Sequence, residues 1–170
     1  MNSHNLYYTT FSTGVGWIGV IGSAAGLVRV SLPQSSEREA HLWLGDLEGA
    51  AMIPRRFEDI IERFRAYFEG EMVDFTDELD LSGATPFQRE VWRATRLIPY
   101  GETRSYAWVA AETGRPKAAR AVGQALGRNP LPVIIPCHRV LASDGGIGGF
   151  SGGIEVKRLL LSLEGAVINV

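Results

Sequence analysis

Residues 105–127, SYAWVAAETGRPKAARAVGQALG, read as two short helices about a tight turn. Ser105 caps the first, predicted over 106–113, and Gly114 closes it. Pro116 opens the second, predicted over 117–127. Helices joined in this way form a helix-turn-helix outline. Ala118, Ala119, Ala121, Gly123 and Ala125 give the second helix a side of small residues, from which Arg120 rises.

Upstream, Thr85 caps a helix that has Pro86 at its first position and Phe87, Val91, Trp92 and Ile98 on one face. Pro99-Tyr100-Gly101 stops it. Downstream, Asn129-Pro130-Leu131-Pro132 ends the second helix of the pair, and 133–135 reads as a buried strand-like run. Residues 142–153 form a loop holding six glycines, followed by an amphipathic helix over 154–163. The first half has another rhythm. Segments 6–11, 16–21 and 27–32 are strand-like and separated by turn clusters, an antiparallel meander. From Pro54 a helical period places Phe57, Ile60, Ile61, Phe64 and Phe68 on one face, ending at Gly70, and the acidic run 71–80 reads as a connector. The fold class is α+β: a sheet-plus-helix domain over 1–82, then a helical, winged-helix-like domain over 83–170. The four tryptophans are expected in the core, with Trp108 the one closest to Tyr106.

The net charge of −2 conceals an asymmetry. Residues 1–83 hold 6 Lys/Arg against 13 Asp/Glu, whereas 84–170 hold 11 against 6. A basic second half suits a polyanionic partner. The uncharged stretch 5–28 lacks a basic start and is interrupted by polar residues and glycines, so it fits neither a signal peptide nor a spanning helix. The chain is expected to be cytoplasmic and off the membrane. Cys137, the only cysteine, excludes an internal disulfide and a multi-cysteine zinc site. His4 and His41 are read as surface histidines, and no metal or other cofactor is expected.

That cysteine lies in Ile135-Pro136-Cys137-His138-Arg139-Val140. Pro136 forces a strand to end just before it. His138 and Arg139 place a base and a fixed positive charge beside the sulfur, and both can lower a thiol pKa. Neighbouring side chains of an extended segment point to opposite sides, so direct contact of His138 with Cys137 would need a local bend, and a bridging water is the easier arrangement. An orienting carboxylate is needed, and spacing alone leaves Glu164, Asp144 and Glu155 open.

Pro136-Cys137-His138-Arg139-Val140 resembles the active-site signature of the O6-alkylguanine-DNA alkyltransferases. Phe87–Trp92, Tyr100–Tyr106, Ala118–Gly123, Asn129-Pro130, Ser151-Gly152-Gly153, Lys157 and Leu163-Glu164-Gly165 follow the family pattern in order. The first 83 residues resemble the family's ribonuclease-H-like domain only in size and element order. The resemblance implies direct DNA repair: irreversible, single-turnover transfer of an alkyl group from O6-alkylguanine, and from O4-alkylthymine, to Cys137. It makes His138 the base acting through water, Glu164 its orienting partner and Asn129 a hinge. Tyr106 would rotate the nucleotide and protonate the leaving guanine. The carbonyls of Cys137 and Val140 would read the guanine amino group, the Ser151 N–H would face O6, and Phe150 and Gly152 would complete the lid. Phe150 stands where many relatives have tyrosine, which removes a hydroxyl contact. A monomer on double-stranded DNA is implied, entering by the minor groove with Ala118, Ala119, Ala121 and Gly123 against it and Arg120 in the base stack.

The residues support these roles independently. Displacement at an sp³ carbon suits a soft thiolate, and a base inside a duplex must be extruded to be reached. A narrow groove admits only small side chains, and an inserted arginine can fill the gap. Two other readings compete: a non-catalytic DNA lesion-binding protein, which the presence of Cys137 disfavours, and a Cys-His hydrolase, which leaves a basic helix-turn-helix unexplained.

Overall fold

The structure, a computed structural model, describes residues 5–167, so His4 lies outside it. The chain divides between Ser82 and Gly83 into two compact units. The observed class is the expected α+β, sheet plus helices first and helices second.

The first unit is built on strands β1 (Tyr7–Thr13), β2 (Gly16–Ser23) and β3 (Gly26–Val30), an antiparallel meander. Helices α1 (Glu37–Trp43) and α2 (Glu58–Phe68) and the two-residue β4 (Ala51–Met52) complete it. β4 runs parallel to β1, giving the sheet order β3-β2-β1-β4. Ile18, Val20, Val30, Phe57, Phe64 and Tyr67 are almost wholly buried and form the core. Gly19 admits α1: a Cβ there would lie 2.8 Å from the Ala40 carbonyl oxygen. The acidic run 71–80 is more than a connector. Leu27 N–H donates to Glu78 O and Asp80 N–H to Leu27 O, at 2.9 and 2.8 Å, so the segment docks along β3. Its backbone needs partners and the open edge of β3 supplies them, a pairing that composition does not encode.

The second unit contains α3 (Pro86–Thr95), β5 (Arg104–Ser105), α4 (Tyr106–Glu112), α5 (Ala119–Gly127), β6 (Val140–Leu141) and α6 (Ile154–Leu163). Thr85 and Gln88 close a capping box on α3. Trp92 is buried and donates from Nε1 to Ala125 O at 2.9 Å, which fixes α3 against α5. Ser105 caps α4 through Trp108 N–H. α5 begins two residues later than expected, because Ala118 N–H turns back to Arg115 O and no side chain caps the end. Among the tryptophans only Trp92 is fully in the core. Trp17 and Trp108 are part-buried and Trp43 is 42 % exposed, since seven-residue α1 buries only Ala40. His41 is exposed.

Candidate active site

β5 and β6 pair in parallel, with Arg104 opposite Val140. This pairing sets the start of α4, and hence Tyr106, beside the chain that leaves Cys137. Residues 133–135 are not a strand. Pro132 and Ile135 bridge, Ile135 N–H donates to Leu131 O at 2.8 Å, and Val133 sits at φ 74°. A β-branched residue at positive φ is strained. Two prolines bracket this apolar run, so it forms a buried turn and not a ladder.

Pro136, at φ −80° and ψ 63°, is the centre of an inverse γ-turn in which Cys137 N–H donates to Ile135 O at 2.7 Å. Cys137–Arg139 then form one 3-10 turn, so Cys137 and His138 are not on opposite sides of an extended strand. Asn129 straps the turn. Its Nδ2 donates to Ile135 O at 2.8 Å and lies 3.1 Å from Cys137 Sγ, while its Oδ1 accepts Leu131 N–H at 2.8 Å.

Behind the sulfur lies a buried charge network. His138 Nε2 donates to Glu164 Oε2 at 2.5 Å, and Arg139 donates to Glu164 Oε1 from Nε at 2.7 Å and to Oε2 from Nη2 at 3.1 Å. Glu164 caps the end of α6 and also accepts Gly101 N–H. The alternatives lie elsewhere: Asp144 accepts Gly146 N–H within its own loop, and Glu155 is exposed. Burial pushes the Glu164 carboxyl up, but bonds from His138 and Arg139, with their charges, outweigh it and hold it at about 2. An ionised Glu164 puts the imidazole hydrogen on Nε2. Nδ1 is buried without a hydrogen-bond partner among the described residues. Burial also holds the His138 imidazole below its ordinary range, against the pull of Glu164.

Two expectations about the sulfur are corrected. Arg139 is not its positive neighbour, because the guanidinium is committed to Glu164 and, from Nη1, to Ile98 O at 2.7 Å. The cation beside Cys137 is Lys157. Nor is the thiol pKa lowered. Burial pushes it up, only partly offset by the Asn129 amide and the Lys157 charge, so the resting group is a thiol. Lys157 is fully buried and donates to Val140 O at 2.8 Å and Gly149 O at 3.1 Å. Burial lowers its ammonium to about 8. Sequence reasoning gave Lys157 no role, although a signal was there. Positions 157, 160, 161 and 164 share one helical face, so a lysine stands on the apolar stripe of α6.

Cys137 opens on a cavity of about 340 Å³ lined by Tyr106, Gly123, Leu126, Gly127, Gly149, Phe150 and Ser151. Tyr106 Oη reaches Gly149 O at 3.5 Å, and burial raises the phenol pKa, keeping its proton in place. Gly148, at φ 71°, passes so close to Tyr106 that a Cβ would lie 3.0 Å from Oη. Val140 O already holds Lys157, and Cys137 O accepts Val140 N–H. Gly152 is exposed in the turn before α6 and does not line the cavity. On α5, Arg120 and Ala121 are exposed and Ala119 part-buried, while Ala118 is the N-cap outside the helix. Trp108 lies under the Arg104 guanidinium, 5.5 Å from the ring centroid. No cluster of metal-ligating side chains occurs among the described residues, and no helix among them is long and apolar enough to cross a membrane.

This network makes stability depend on pH. The folded imidazole of His138 binds its proton less readily than an unfolded one, whose pKa is near 6.5. The unfolded chain therefore takes up more protons below pH 6.5, and stability falls as pH falls. Glu164 adds to the loss below its ordinary value of 4.5, down to about 2. Denaturant unfolding from pH 8 to 4 is expected to show a decline starting near 6.5 and steepening below 4.5. A flat profile down to pH 5 would contradict the buried neutral imidazole.

Residues 86–166 match the sequence family described as "6-O-methylguanine DNA methyltransferase, DNA binding domain". Residues 6–81 match "6-O-methylguanine DNA methyltransferase, ribonuclease-like domain". The chain is 42 % identical over 160 residues to a methylated-DNA–protein-cysteine methyltransferase of Mycobacterium bovis, covering 94 % of this chain and 92 % of that one. A protein of the same name from Methanosarcina acetivorans is 38 % identical over 163 residues, covering 95 % and 99 %. Among solved structures, Mycobacterium tuberculosis OGT in complex with DNA superposes with a TM-score of 0.80 at 39 % identity, covering 94 % and 92 %.

Proposed function

The chain belongs to the 6-O-methylguanine DNA methyltransferase family, and from that premise we propose that Cys137 is the acceptor on which it repairs alkylated DNA. The protein binds DNA and is a methylated-DNA–protein-cysteine methyltransferase, repairing by alkyl transfer to cysteine. The observation that carries the assignment is the place of its only cysteine, at the cavity wall with the His138–Glu164 pair behind it and Tyr106 on the lining.

In the proposed reaction His138 Nδ1 takes the thiol proton through a water. Sγ attacks the alkyl carbon, the S–C bond forms, and the C–O6 bond breaks with its electron pair leaving on guanine. Tyr106 protonates the leaving base and recovers its proton from the imidazolium, so the net transfer is from thiol to guanine. Glu164 fixes the tautomer and Asn129 the sulfur. Phe150 and Ser151, on the cavity lining, form the base-binding wall, with Val140 behind it holding Lys157 through its carbonyl and Gly152 further along the lid loop, outside the lining. Ala118, Ala119, Ala121 and Gly123 would lie against the minor groove, with Arg120 in the base stack. Residues 83–170 would thus hold both the DNA-binding surface and the acceptor, in a monomer. An unpaired thiol nucleophile fits the reducing cytoplasm, and O4-alkylthymine is a second candidate substrate.

The decisive experiment mixes the protein with excess duplex DNA containing O6-methylguanine and follows intact mass. A gain of about 14 Da, confined to Cys137 and stopping at one equivalent, is expected. Binding without any gain in mass would demote Cys137 to a structural residue.

A further inference from the structure

We infer that Arg139 is a positioning residue that keeps His138 neutral, and so able to accept a proton, by sharing the Glu164 carboxylate with it. The inference rests on the reading of Cys137 and His138 as acceptor and base. Its ground is the geometry around one carboxylate. Oε2 receives His138 Nε2 at 2.5 Å and Arg139 Nη2 at 3.1 Å, while Oε1 receives Arg139 Nε at 2.7 Å and Gly101 N–H at 3.2 Å. The His138 and Glu164 side chains are fully buried, and that of Arg139 is 9 % exposed.

In so dry a place, a carboxylate facing a lone imidazole would draw a proton onto it, because opposite charges attract strongly at low dielectric. An imidazolium cannot take the proton of a thiol. The guanidinium changes that balance. It neutralises the carboxylate through both oxygens, sharing Oε2 with the ring, and sets a permanent like charge close to any imidazolium. Other groups facing this centre are few. Lys157, from α6, adds a second positive charge that disfavours the imidazolium. Cys137 is neutral at rest, and Tyr100 approaches Glu164 and the Arg139 guanidinium, 5.8 Å from its ring centroid. Glu164 is the group that favours the charged ring, and Arg139 is the one that holds both of its oxygens.

The test is an NMR titration of the His138 imidazole in the unalkylated protein, compared with Arg139→Met and Arg139→Lys. Methionine keeps much of the stem and removes the charge and donors. Its imidazole midpoint is expected to rise by about one pH unit or more, with lysine intermediate because an ammonium reaches a carboxylate from one point. The transfer rate of Arg139→Met at pH 6 should fall about tenfold relative to its own rate at pH 8, a drop the parent protein does not show. Unchanged midpoints, with transfer reduced evenly at every pH, would overturn the inference and leave Arg139 a structural residue. If Arg139→Met does not fold, Arg139→Lys decides: a raised midpoint supports the inference and an unmoved one overturns it. The titration needs no reaction, so a parent protein that gained no mass on alkylated DNA would refute the acceptor reading separately.

Discussion

Cys137→Ser is expected to fold and to bind alkylated duplex, yet to transfer the alkyl group roughly a thousandfold or more slowly, about 4 kcal/mol of added barrier. The substitution is small. A serine hydroxyl can keep the 3.1 Å contact with the Asn129 amide, and His138 and Glu164 remain as they were. What changes is the nucleophile. Oxygen holds its proton more tightly than sulfur and is less polarizable toward an sp³ carbon. The check is intact mass against time under single-turnover conditions, beside a binding isotherm on the same duplex. A serine variant that gains the alkyl mass within tenfold of the parent rate would refute a nucleophilic role for the sulfur.

Glu164→Ala is expected to have the largest effect on stability. It leaves a buried guanidinium with no carboxylate and the imidazole Nε2–H with no acceptor. Breaking a buried pair from one side costs about 3–5 kcal/mol. For a unit of this size that is a fall of about 12 °C or more in Tm. Transfer should fall as well, by about a hundredfold or more, because the base loses its tautomer control. Thermal unfolding of the apo protein reads the first effect and single-turnover kinetics the second. A Tm within about 3 °C of the parent would mean that the network is solvated, contrary to its burial.

How much of this the sequence revealed depended on where local signals and tertiary demands agreed. α6 is legible residue by residue through its apolar stripe. α3 announces its start through Thr85, Pro86 and Gln88 but ends at Thr95, three residues short of the Ile98 that the expected apolar face includes, because Leu97 and Ile98 N–H turn back to the Ala94 and Thr95 carbonyls. The first three strands carry β-branched residues between glycine turns and are nearly as clear. α1 has a proper cap in Ser36, but only Ala40 is buried, so no periodicity marks it. β4 has two residues and exists because β1 offers an edge. The run 133–135 misleads for another reason: apolar composition reports burial and says nothing of φ, and Val133 adopts a value that a strand does not allow.

The site divides in the same way. Cys137 and His138 stand in one short motif, whereas Glu164, 26 residues further on, shares carboxylate chemistry with Asp144 and Glu155, and only the fold separates them. The partner of Arg139 was hidden because adjacency in sequence put its charge near the sulfur, while the 3-10 turn carried it to Glu164. Lys157 was visible as an anomaly on an apolar face, but which carbonyls it would find was not.

The hold on the glycine-rich loop has a bearing on how such a protein diverges. Lys157 and Tyr106 both grasp that loop at Gly149 O, a backbone atom. Whatever side chains stand at Ile147, Phe150 and Ser151, the grip at Gly149 needs only a peptide carbonyl. Selection for different lesions is therefore free to rewrite what the loop displays without disturbing what anchors it. Gly148 is the exception: there a new side chain would meet the Tyr106 hydroxyl, so drift is expected around that position and not at it.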